Sequence, residues 1–433
     1  MKLSFKITPA RILYIAFILM LVLTCLPITM VFPGIIRKSM QGLALLLFIL
    51  GLGMQRQKAI LLEYIFCCLF FFTYIYNVWG FTQSLFSCLF NTMAGFSFVF
   101  YSIYLIYNKD NEENKKYIRK ALRAVILVFM ITSITTIIGL QRYPLAVREL
   151  GRSGSGYAST GDDFIALKAV YRKMNIAGWN MAFGIVLMCP IFVRLFQITK
   201  EKKYIVFLAI SEVCVLFSQL TIGLILSVLG IFLALYRPSK RAKDIIILLF
   251  VLFIAFIMLF MLDDILLLTV RITNNLNLSF VSDKLKDALM LLSGSVGSDA
   301  SARFDRYSKS LAVFFRYPVM GISIHGVPHD GMFGNHSDIF NLLGYYGGFG
   351  IVVMIIMVCR YFNHIKVSVG KNSWIYISQL FIFILLAVLN PVWYSPQVFI
   401  GAMLMPTLVE HYQKKRTAHI RIKISGLNPN WIN

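Results

Sequence analysis

Charge is what this 433-residue sequence has least of: Asp, Glu, Lys and Arg make up 14% of it, against roughly 25% in an average soluble domain. Acidic residues are the scarcest, 19 against 42 Lys and Arg. With 58% hydrophobic residues and a mean hydropathy of +0.75, a soluble chain could not hide its apolar surface. That excludes a soluble globular protein and leaves an all-α polytopic membrane protein. The seven cysteines all sit inside or at the ends of apolar runs. They form no disulfide framework and no zinc spacing. No nucleic-acid-binding motif accompanies the net charge of +23, whose residues lie in short clusters between apolar runs, so nucleic acid is not the partner. No repeat of period 20–50 is present, nor the half-to-half symmetry that often marks secondary transporters. The first apolar run follows Lys2, Lys6 and Arg11 without a small-residue cleavage site, and reads as a retained span.

A membrane-spanning helix needs about 20 mostly apolar residues. Twelve segments qualify: 12–32, 39–54, 59–79, 84–107, 118–140, 176–197, 204–219, 220–236, 244–262, 338–359, 374–390 and 396–411. The seventh and eighth form one apolar stretch, divided at Ser218-Gln219 as a tight hairpin. With the N-terminus inside, the segments on that side carry 27 of the 42 basic residues. The short connections on the other side carry only Arg37 and Lys38. This obeys the positive-inside rule and puts both termini in the cytoplasm. The whole chain, 1–433, is one integral membrane domain of the cytoplasmic (inner) membrane.

Two long extracytoplasmic loops hold the other basic residues. The first, 141–175, contains Arg142, Arg148, Arg152, Lys168, Arg172 and Lys173 around the Gly/Ser tract Gly151–Gly156. The second, 263–337, has Leu278, Val281, Leu285, Leu289 and Leu292 at helical spacing, as in an amphipathic helix at a membrane surface. In 302–316, Phe304, Tyr307, Leu311 and Phe314 share one stripe, while Arg303, Arg306 and Ser310 share another. Pro318 and Gly321 end that helix. Long loops translocate regardless of charge, so these cations need another reason to be there. An anionic ligand is one. Attraction to anionic headgroups is the plainer one.

The richest stretch is 300–350. An arginine pair on one helical face forks onto phosphate, because guanidinium bonds in two directions and stays charged. A Gly-rich hairpin, Gly326 to Gly334, leads to His336 at the mouth of the next span, where an imidazole can take a proton near neutral pH. Local pairing of Arg303 and Arg306 with Asp305 or Asp299 is the competing reading. His325 and His329 lie nearby, but no helical i,i+4 pair of histidines exists to hold a metal. Asp162-Asp163 reads as a solvated loop pair. Glu63 and Glu212 fall within spans, where ionisable groups need a partner.

The loop arginine Arg306 followed by P-x-x-G at Pro318–Gly321, and the run H-S-x-x-x-N-L-L-x-x-x-G-x-x-G at His336–Gly350, resemble the signature of the Wzy-type polysaccharide polymerase and O-antigen ligase superfamily. The plan of about twelve spans, with a large loop before the histidine and a smaller basic loop earlier, is similar too. The resemblance implies a GT-C-type glycosyltransferase working at the outer membrane–water boundary. Its donor is a glycan on undecaprenyl diphosphate, and in the polymerases its acceptor is a second lipid-linked repeat unit. It implies no metal and no cofactor. It makes His336 the catalytic residue that orients or deprotonates the acceptor hydroxyl. Arg303 and Arg306, with Arg142, Arg148, Arg152 and Arg172, become binders of the diphosphate and glycan. Many members carry Ser-Arg where this chain reads Ser218-Gln219, so one of the loop arginines takes that role. A chain-length regulator and a flippase are the implied pathway partners, besides the membrane lipids. The alternatives are the ligase branch and a flippase for lipid-linked oligosaccharides.

Overall fold

A computed structural model describes residues 8–54, 58–79, 84–151, 162–236, 262–275, 282–283, 285–286, 299–326, 328, 331–369, 374–393 and 395–410. All its elements are helical, in keeping with the all-α reading. In chain order they are α1 (Pro9–Cys25), α2 (Gly34–Gly53), α3 (Lys58–Trp79), α4 (Leu85–Tyr107), α5 (Glu112–Arg142), α6 (Ala146–Gly151), α7 (Asp162–Lys173), α8 (Trp179–Thr199), α9 (Lys203–Phe217), α10 (Thr221–Leu235), α11 (Leu262–Asn275), α12 (Asp299–Arg316), α13 (Asp338–Val369), α14 (Trp374–Leu389) and α15 (Pro396–Phe399). The last continues through a π turn, Ile400–Leu404. Helices stand at eleven of the twelve expected segments, and of the remaining one, 244–262, all but its last residue lies outside the described residues. By length and composition α2, α3, α4, α5, α8 and α13 suffice to cross a membrane, and α1, α10 and α14 are shorter apolar helices.

The starts are capped by local chemistry. Thr8 accepts from the Arg11 amide ahead of Pro9, Ser84 from Ser87, and Asn111 from Glu113. Each satisfies an amide that the first turn leaves free. Glu112 and Glu113 then sit favourably against the positive end of α5. Ser218 and Gln219 do divide the long apolar stretch: Gln219 turns to φ 54°, and α10 starts two residues later.

Exposure separates central from peripheral helices. Within their apolar windows α4 and α8 are each 83% buried, whereas α2, α3 and α13 are only 28–33% buried. An apolar helix buried all round is a core helix, and one with apolar side chains on an open face suits contact with lipid. α8 packs between α9 and α10, and α15 packs on α4 and α8. Two ends of the bundle result. At the basic end meet the N-termini of α1, α3 and α5 and the C-termini of α4, α8 and α13, joined by Thr8–Glu113 and Tyr107–His364. At the loop end Asn175 links Ile28 to Thr135, and Tyr74 links to Asp338.

Several expected boundaries shift. α2 begins at Gly34, so Arg37 and Lys38 belong to its first turns and not to a connection. The segment 141–175 carries two helices, α6 and α7. α13 runs ten residues past the expected 359, because its polar end projects beyond the apolar stretch. Of the expected amphipathic helix 278–292, only 282–283 and 285–286 are described, and they are helical.

Candidate functional site

Two of the expected site residues meet. α12 lies on α13, fastened by Ser310, which is buried. Its hydroxyl donates to Asn341 Oδ1 (2.6 Å) and accepts from the Gly334 amide (3.1 Å). At Gly334 the chain presses onto α12 so closely that a Cβ there would lie 1.7 Å from the Arg306 carbonyl oxygen. Only glycine fits such an approach. Asn335 then turns through φ 54° and delivers His336 to Arg306, whose guanidinium hydrogen-bonds to Nε2. Guanidinium only donates, so Nε2 presents its lone pair and Nδ1 carries the hydrogen. Tyr307, one residue on, donates to the Leu389 carbonyl (3.3 Å) and packs edge-on against Phe340.

Behind His336 sits a residue that sequence reading missed. Asp338 is 1% exposed. Its Oδ2 accepts from the Val392 and Trp393 amides, and its Oδ1 from the Tyr74 hydroxyl (3.0 Å). One carboxylate thus ties the start of α13 to α3 and to the connection between α14 and α15. Ser337 caps the same helix by accepting from the Phe340 amide. The only advance signal was an acid at the first position of an apolar span, and it does not reveal partners 54 residues away.

The two glycine motifs of the signature hold each other. Gly347 leaves helical geometry (φ 64°, ψ −155°) and breaks α13. The freed Gly348 and Phe349 amides donate to the Pro318 and Val319 carbonyls (2.8 and 3.0 Å). Gly321, also at φ 64°, abuts the Tyr345 carbonyl. P-x-x-G and G-x-x-G therefore form a backbone joint that seats α12 on α13.

A second basic group stands on other elements. α7 packs on the turn Pro27–Val31 and on α6, whereas α12 packs chiefly on α13 and the turn Gly321–Ile324. Here Arg172 and Arg37 each bury a guanidinium Nε without a hydrogen-bond partner. Burial first, and then the charge of Arg37, lower the Arg172 pKa. Burial, followed by the Arg172 charge, holds Lys168 below the usual lysine range, with Glu149 pulling the other way. Glu149 also accepts from Tyr171 Oη (2.5 Å), and burial together with that bond pushes the phenol up. Cations set against each other with idle donors form a place for an anion. Arg37 is an addition to the sequence reading, which counted it only for topology.

The other expected residues are more scattered. Arg148 is half-buried at the C-terminal end of α6. Arg142 is exposed and lies over the ring of its neighbour Tyr143 (5.5 Å). The Arg303 backbone is on α12, one turn before Arg306, but its side chain lies outside the described residues, as does Arg152 altogether. His325 stacks on Tyr317 at 4.4 Å, and His329 is not described. Among the described residues no three of His, Cys, Asp and Glu gather as a metal-ligand set.

The intramembrane acids have partners. Glu212 accepts from Ser227 across α9 and α10 (3.1 Å). Glu63 binds both Arg360 and His364, and Tyr107 completes the chain at His364 Nδ1 (2.8 Å). These groups border an apolar cavity of about 570 Å³ that reaches Trp393. Comparison with protein-family models, curated proteins and solved structures finds no match for this chain.

Proposed function

We propose that the chain is a polysaccharide polymerase of the Wzy type, joining undecaprenyl-diphosphate-linked repeat units on the outer face of a bacterial cytoplasmic membrane. The observation that carries this reading is the Arg306–His336 contact: a permanent cation hydrogen-bonded to an imidazole nitrogen, at the mouth of α13. In this proposal the loop end faces outward and the basic end faces the cytoplasm, as the distribution of Lys and Arg favours. About twelve spans in a GT-C-like arrangement support the site.

The reaction needs only the chain and its two lipid-linked substrates. The donor diphosphate draws the Arg306 guanidinium, which frees His336 Nε2. The acceptor hydroxyl attacks the anomeric carbon, and its proton passes to Nε2. The bond from that carbon to the diphosphate oxygen breaks, and the electron pair leaves with the diphosphate. Arg306 stabilises the leaving charge, an effect strongest where water is excluded. Arg303, three residues earlier in the chain, is the second arginine proposed for that role. Arg172, Arg148 and Arg37 supply a second anion-holding group toward the acceptor side.

The test is the banding of surface glycan from cells carrying the chain. Loss of a polymerase leaves single repeat units, and loss of a ligase leaves long polymer on its carrier. Single units on deletion support the reading, and carrier-bound polymer overturns it in favour of the ligase branch. A flippase is the second reading, because the buried Arg194–Glu410 pair puts charge inside the bundle. It predicts that repeat units accumulate on the cytoplasmic side when the gene is deleted.

A further inference from the structure

The cavity of about 570 Å³ lies among α3, α4, α13, α14 and α15. Its walls are mostly Phe, Met, Leu, Ile and Val, and Glu63, Arg360 and His364 gather at the basic end. At the other end Trp393 lies against Phe71 (4.5 Å) and Phe383 (6.2 Å). Glu63 and Phe71 are eight residues apart on α3, about 12 Å along the axis at 1.5 Å per residue. That depth is close to one leaflet of a hydrocarbon core about 30 Å thick. Leu62, Phe66 and Ile356, also in the wall, are each more than half exposed. The cavity therefore opens sideways, on faces of α3 and α13 suited to lipid.

The chemistry of the polar end selects the head of the occupant. Glu63 takes one nitrogen of Arg360, whose side chain is still 59% exposed. A guanidinium has five N–H donors in a fork, so several stay open for an oxyanion. Glu63 has both oxygens engaged, by Arg360 and by His364. Lys58, at the start of α3, and Lys366, near the end of α13, are exposed at the same basic end of the bundle. A basic pocket between helices at the cation-rich side of a membrane protein is the pattern for anionic headgroups. The proposed glycan chemistry sits at the opposite end, with His336, so a carrier held there would turn its tail, and not its phosphate, toward Arg360.

We infer that this cavity binds an anionic phospholipid, with the phosphate on Arg360 at the Glu63–His364 cluster and one acyl chain lying along the apolar walls toward Trp393. The inference is independent of the glycosyltransferase reading.

Native mass spectrometry of the detergent-purified chain tests it, with phosphatidylglycerol, phosphatidylcholine and undecaprenyl phosphate offered separately and together. Phosphatidylglycerol is retained at least tenfold over phosphatidylcholine and over undecaprenyl phosphate. Arg360→Gln brings it down to the phosphatidylcholine level. Arg360→Lys, which keeps the charge, restores most of the preference and guards against a merely unstable variant. Met357→Trp, which fills the cavity, lowers retention of every lipid. His336→Ala leaves all these results unchanged, which separates this test from that of the glycan reaction. Equal retention of the two phospholipids, an Arg360→Gln variant that keeps its preference, or selective retention of undecaprenyl phosphate overturns the inference.

Discussion

An arginine can only donate, and that fixes what His336 offers to chemistry: a lone pair on Nε2, held until an anion draws Arg306 aside. His336→Ala is expected to cut polymer formation by about 10²–10⁴-fold, the usual range for a general base, with the protein still present at normal level by immunoblot. Asp338→Ala leaves the Val392 and Trp393 amides buried without an acceptor. Each such loss costs about 1–3 kcal/mol, so a lowered melting temperature in detergent is the expected readout, and an unchanged one contradicts the role. Lys168 loses its proton at a less alkaline pH than an ordinary lysine, because burial and then Arg172 lower its pKa. Binding of pyrophosphate to this group should therefore weaken as pH rises through that lowered value, and Lys168→Arg should move the weakening upward, as read by calorimetry. In the sequence Arg306 was singled out by helical spacing and His336 by its place before a span and by the family resemblance, and the contact between them is a finding of the fold. Asp338 and Arg37 were not, since their meaning comes from Trp393 and Arg172, far away in the chain.

At the scale of elements, α12 reaches the site only because two backbone contacts let it lie close on α13. Gly347→Ala must place a side chain at φ 64° against the Val319 carbonyl. Such strain costs about 1–3 kcal/mol, and the expected outcome is a protein with lowered thermal stability and weak polymer formation. If stability and activity are both unaltered, the joint does not seat α12. The existence and order of the helices were readable from apolar runs, and so was the break at Ser218-Gln219. The interior of segment 141–175 was not, because α6 and α7 are short and gain their stability from packing on α8 and on the turn Pro27–Val31. The extra turns of α13 escaped notice for a related reason: hydropathy marks the membrane-like part of a helix, not its polar extension.

For the whole molecule, the placement of cations sorts the two ends of the bundle, and labelling can test it. Six of the seven cysteines are buried, and Cys359 alone is exposed. In a Cys359→Ser background, a cysteine at Lys309 should react with a membrane-impermeant maleimide in intact cells, and one at Lys203 should react only after lysis. The opposite pattern inverts the topology and removes the site from the outer face. The most direct trial of the central claim is reconstitution. The purified chain, in liposomes with a defined undecaprenyl-diphosphate-linked repeat unit and no nucleotide sugar, is expected to build a ladder of longer glycans that His336→Ala abolishes and wild-type protein restores. Failure of the folded wild-type chain to extend that substrate, or a full ladder from His336→Ala, contradicts the account.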